Sequence, residues 1–157
     1  MQNKDLRLEQ AEHNQSACLK LDAIGGFTDW VVTTAFYSAV HFIQYKLFPL
    51  TDHDGTKVVL YQTFIEFNDA INPHNSQSRH TVMLRLVKNH AKNVEPEYRT
   101  LYDNCLSARH SDYRIPTDIA TSSKENLAAI KSYCNPMATD EKMKGIASEA
   151  INKKSNS

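Results

Sequence analysis

A chain of 157 residues can bury roughly two thirds of its unfolded surface around one core, which predicts a single domain. Its 18 lysines and arginines balance 18 aspartates and glutamates, which excludes a global field that would hold it on nucleic acid or an anionic membrane. Three cysteines without a CxxC pair argue against a disulfide framework or a zinc knuckle and fit a reducing cytoplasm.

The opening segment MQNKDLRLEQ is polar and lacks the apolar stretch of a secretory signal. A first helix is expected from about Leu6 to Ala23, ending at Gly25-Gly26, because glycine accepts the left-handed conformation of a helix end. It carries Glu12-His13-Asn14, three adjacent polar residues that point in different directions; a solvated face and a binding role are both open to them.

A second helix should start near Asp29, a carboxylate suited to the positive end of the helix dipole, and run to Phe48 before Pro49. It is apolar on nearly every face, yet His41, Gln44 and Lys46 make it a central helix rather than a membrane span. Tyr37 and His41 lie one turn apart on it, in a stripe that Trp30 and Tyr45 continue, as a packed core histidine or a ligand-binding one would.

Thr51 to Gly55 reads as a loop. The following TKVVLYQTFIEFND is assigned to helix, although Val58, Val59, Tyr61 and Thr63 favour strands. The serines of INPHNSQS can cap a third helix, Arg79 to His90. Pro96 fits the first turn of a fourth, on which Tyr98, Leu101, Tyr102, Cys105 and Arg109 recur at helical steps. Ser122 to Glu125 has the spacing of a capping box and would open a fifth, ending before Asn135-Pro136. The polar tail over 136–157 can form a loose amphipathic helix whose end frays. The expectation from periodicity is an all-α domain in residues 1–135.

Chemistry is sparser than structure. No histidine pair stands at i, i+4, no GxSxG motif occurs and no glycine-rich phosphate loop is present, so neither a metal nor a cofactor is expected. Charge is nevertheless uneven: residues 1–70 hold five Lys/Arg against nine Asp/Glu, whereas 79–114 hold seven against four, with His80, His90 and His110 added. Arginine with histidine is the minimal set for metal-free phosphodiester cleavage, one holding phosphate charge and the other moving a proton near neutral pH. In SARH, Arg109 and His110 are also simply the cations that a helix C-terminus favours.

Taken together, AEHNQSACLKL, FTDWVVTTAFYSAVHFIQYKL, SRHTVMLRLV and YRTLYDNCLSARHSDY resemble the HEPN family (higher eukaryotes and prokaryotes nucleotide-binding domains), in its small stand-alone bacterial branch. The shared features fall on Glu12, His13, Asn14, Asp29, Trp30, Phe36, Tyr37, His41, His80, Arg85, Tyr98, Leu101, Tyr102 and Arg109. The resemblance implies an all-α, up-and-down bundle of four to five core helices, often a homodimer, in a family of metal-independent RNases of defence and toxin-antitoxin systems and of non-catalytic relatives. Ribonuclease members carry an arginine and then a histidine with four to six residues between them. Here Arg109 is followed directly by His110, Tyr113 stands nearer the expected position, and Arg7–His13 and Arg85–His90 match the bare spacing.

Two functions therefore stay open. One is association with RNA or a nucleotide, extending to cleavage, with Arg109, His110, His80 and Tyr113 as catalytic candidates and Arg85, His41, Tyr37, Glu12 and His13 as substrate-binding ones. The other is a non-catalytic module acting through a homodimer or an antitoxin-like protein partner.

Overall fold

The computed structural model describes the backbone of residues 2–110 and 114–135; Tyr113 and the 136–157 tail lie outside the described residues. Within them the chain is mostly helical, with α1 Gln2–Ile24, α2 Thr28–Leu47, α3 Phe64–Ile71, α4 Arg79–His90, α5 Glu95–His110 and α6 Thr117–Cys134. A short 3-10 turn, Lys92–Val94, leads into α5.

Gly25 and Gly26, with φ of 78° and 79°, terminate α1 and let the chain reverse within three residues. The two helices then run antiparallel, as their cross-links show in order: Arg7 to Gln44, Ser38 Oγ to the Ala11 carbonyl, and Cys18 Sγ to the Val31 carbonyl. α2 is the centre of the core because α1, α5 and α6 all pack along it. Val31, Val32, Ala35, Phe36, Ala39, Phe42 and Ile43 are accordingly buried. Burying a side chain the size of valine or phenylalanine contributes about 1.5–3 kcal/mol each, so this one helix supplies much of the hydrophobic drive. α6 is tied to α1 by Lys124 to Asp22 and by Lys131 Nζ to Gln15 Oε1 at 2.7 Å.

The segment after Pro49 corrects the all-helical expectation. Leu50–Asp54 (β1) and Lys57–Tyr61 (β2) form an antiparallel hairpin with Leu50 opposite Tyr61 and Asp54 opposite Lys57. The expected 51–55 loop is thus mostly strand, and the expected helix over the next segment begins only at Phe64. Val58 and Val59 obey their strand propensity, while Gly55 at φ 62° supplies the positive φ that a two-residue hairpin turn needs at its first position. The start of α3 is fixed by Thr63, whose hydroxyl accepts from the Glu66 amide at 3.2 Å.

The capping box expected at Ser122 is also displaced. α6 begins five residues earlier, because the proline φ of −60° at Pro116 lets the helix open at Thr117, and Asp118 adds a favourable first-turn carboxylate. Ser122 lies inside the helix. α4 matches its expected bounds: the Ser78 hydroxyl accepts from the Thr81 amide at 3.1 Å.

Candidate functional site

α1 brings Arg7, α2 brings Tyr37, His41 and Gln44, and the first turn of α4 brings Arg79 and His80 to one open groove of about 200 Å³. Arg7, Gln44 and Phe64 are shared with a neighbouring cavity of about 110 Å³ beside Lys4. At the other end Tyr37 is shared with a cavity of about 410 Å³ that Arg109, Asp29 and Trp30 also line. The three adjoin in a row, so Lys4, Arg7, Arg79 and Arg109 stand along one strip. The linings of the first two cavities contain no aspartate or glutamate. A chain of balanced charge thereby gains a local cationic track.

His80 is wedged among rings. Its centroid is 5.3 Å from Phe36, 5.9 Å from Tyr37 and 6.2 Å from Tyr102, with the Tyr37 ring meeting it edge to face. On the far side of Tyr37, Arg109 Nη1 donates to the phenol oxygen at 3.3 Å. Tyr37 therefore couples the imidazole to the guanidinium. Burial first and Arg109 second push His80 below the ordinary imidazole value near 6.5. Burial first and Arg7 second push His41 the same way. Both rings are consequently neutral at neutral pH and able to accept a proton.

Arg7 Nη1 donates to Gln44 Oε1 at 2.5 Å, and Gln44 Nε2 in turn faces Met83 Sδ at 3.8 Å. This relay fixes the guanidinium at the groove wall and satisfies the buried amide. His41 Nδ1 is buried without a hydrogen-bond partner among the described residues.

The structure thus joins His80, Tyr37, His41 and Arg109 and leaves the remaining candidates apart. Glu12 and His13 are exposed and do not line the groove; neither does Arg85 on the outer face of α4, nor exposed His110 at the end of α5. Arg109 and His110 diverge because consecutive helical residues project about 100° apart. Lys4, Arg7, Arg79 and Gln44 escaped the sequence reading. Arg79, adjacent to His80 in a capped first turn, carried a signal; Arg7 appeared only as one end of the Arg7–His13 spacing.

Cys18, Cys105 and Cys134 are buried, and burial raises all three thiols, Cys134 to about 12. They are poor nucleophiles. Among the described residues no three His, Cys, Asp or Glu side chains gather as a metal site would require, and no helix is long and apolar enough to cross a membrane. Comparison of the chain with protein-family models, with curated proteins and with solved structures finds no match in any of the three.

Proposed function

We propose that the groove binds single-stranded RNA and cleaves it without a metal, in a HEPN-like helical bundle. The observation that carries this reading is the cationic strip from Lys4 through Arg7 and Arg79 to Arg109, which encloses two neutral histidines and no carboxylate in its first two cavities. A row of cations can follow a phosphate backbone, and the aromatic side chains along it suit stacked bases. Arg109 holds the negative charge that develops on the scissile phosphate. His80, neutral at rest, takes the proton of the 2′-hydroxyl as its oxygen attacks phosphorus. The departing 5′-oxygen receives a proton from His41 in its imidazolium form, across the same groove. Since one ring must be neutral and the other protonated, activity is greatest on the acid side of neutrality.

The HEPN resemblance extends this reading to a homodimer in a prokaryotic defence or toxin-antitoxin setting. A second reading, the non-catalytic module, is favoured by a different surface: Val58 and Leu60 share one face of β2 and, with Ile65, remain 65%, 55% and 48% exposed. Such a face suits a protein partner.

The test is incubation of the protein with structured and single-stranded RNA in EDTA. Cleavage should vanish in His80→Ala and Arg109→Ala and persist in His110→Ala and Arg85→Ala. Loss in His110→Ala with His80→Ala active would relocate the chemistry. Neither binding nor cleavage by the wild type would leave the module reading.

A further inference from the structure

The largest of the three cavities shares Arg109 and Tyr37 with the cleavage site, but its Asp29 and Trp30 have no part in that chemistry. It measures about 410 Å³, within the range of small-molecule sites, and is lined by Asp29, Trp30, Thr33, Tyr37, Ala108 and Arg109. Trp30 is 56% exposed at the start of α2, although an indole is among the most favourable side chains to bury. Asp29 stands beside it, with its backbone carbonyl held by the Thr33 hydroxyl at 2.8 Å. A guanidinium, a carboxylate and a half-exposed indole around one hollow differ in kind from the groove next door, whose charged lining residues, Arg7 and Arg79, are both cations.

We propose that this cavity is a guanine subsite, with Trp30 stacking on the base, Asp29 reading its Watson–Crick edge and Arg109 taking the attached phosphate. The inference rests on the RNA reading above and adds the base that it selects. A flat indole face is a stacking platform for any base. Selection comes from the carboxylate, which only accepts hydrogen bonds and offers two oxygens. Guanine presents two adjacent donors, N1–H and the N2 amino group, and so satisfies both oxygens together. Adenine and cytosine set a ring-nitrogen acceptor beside their amino group, and uracil flanks its one N–H with carbonyl acceptors, so each repels one carboxylate oxygen. Tyr37 separates this cavity from His80, which puts a phosphate held by Arg109 at the boundary between base recognition and proton transfer.

Trp30 is the only tryptophan of the chain and therefore reports on this cavity directly. Its fluorescence is titrated with GMP, AMP, CMP, UMP and inorganic phosphate at matched ionic strength, in wild type, Asp29→Asn and Asp29→Glu, with folding checked by circular dichroism. GMP should quench at a concentration about 5- to 150-fold below the other nucleotides, the discrimination of one bidentate base contact. Asp29→Asn should erase that preference, and Asp29→Glu should retain part of it. Equal response to all four nucleotides, or a response to phosphate alone, overturns the guanine assignment; no response at millimolar nucleotide overturns the subsite. RNA cleavage that depends on His80 without a GMP response sinks this inference alone. A selective GMP response without any RNA cleavage sinks the ribonuclease reading alone.

Discussion

Replacing Arg109 by alanine separates a binding role from a structural one. Arg109 is exposed and its hydrogen bond to Tyr37 is long, 3.3 Å, so its loss should change folding by no more than about 0.5 kcal/mol. For a chain of this size that is a shift in Tm of about 2 °C or less. A charge-assisted contact to an RNA phosphate contributes about 1.5–3 kcal/mol, which corresponds to roughly 10- to 150-fold weaker binding. The slope of log affinity against log salt should also flatten by about 0.7, the value of one phosphate contact on a single strand. The assay is fluorescence anisotropy of a labelled RNA oligonucleotide over a salt series, paired with a thermal melt. Arg85→Ala is the control, because it removes the same charge from the outer face of α4, away from the groove. Equal weakening in both variants would mean that only total charge matters. A melt lowered by ten degrees or more in Arg109→Ala would make the guanidinium a structural member of the fold.

Stability should depend on pH through His41 and His80. Their folded values lie below the unfolded value near 6.5, so below that pH the unfolded chain binds more protons and the fold loses stability as pH falls toward the depressed values. Thermal melts between pH 7.5 and 5 should show this loss, and His80→Phe should reduce it; an unchanged slope would show that His80 titrates normally. Phe36→Ala should cost about 3–5 kcal/mol, because Phe36 is buried at the centre of Tyr37, His80, Tyr98 and Tyr102 with ring centroids 5.3 to 5.8 Å away. Chemical denaturation measures it, and a loss under 1 kcal/mol would mean that the aromatic cluster is loosely packed. The three buried thiols should resist a disulfide reagent in the native protein and react stoichiometrically in guanidinium; rapid native reaction at any of them would contradict its burial.

The helices were legible where punctuation and periodicity agreed. Gly25-Gly26 ended α1, and Ser78 opened α4 with the Thr81 bond that its position implied. Capping boxes were less decisive. Thr63–Glu66 has the same spacing as Ser122–Glu125, yet only Thr63 caps its helix, because nothing upstream of it can continue one whereas Pro116 starts α6 early. The hairpin was visible in its β-branched residues but competed with a helical reading of the same window, and tertiary context decided it. Within the site, His80, His41, Tyr37 and Arg109 were recoverable individually. Their meeting with Arg7 was not, since that contact depends on how α1 lies against α2. His110 stands apart from Arg109 because neighbours in sequence diverge on a helix, and spacing alone does not say which of the two faces the groove.

The site is built from chain segments that find one another at different times. α1 and α2 are joined by a three-residue turn and can pair as soon as both exist, whereas the groove closes only when α4 and α5 return to α2 from tens of residues away. α4 packs far more sparsely on the rest of the molecule than α1, α5 or α6 do. Its amides should accordingly exchange with deuterium sooner than those of the α1–α2 hairpin, through local opening that leaves the core intact. His80 and Arg79 ride on that helix. The width of the groove is thus tied to a helix that opens locally, and an RNA strand that bridges α4 to Arg7 and Arg109 would slow exchange there.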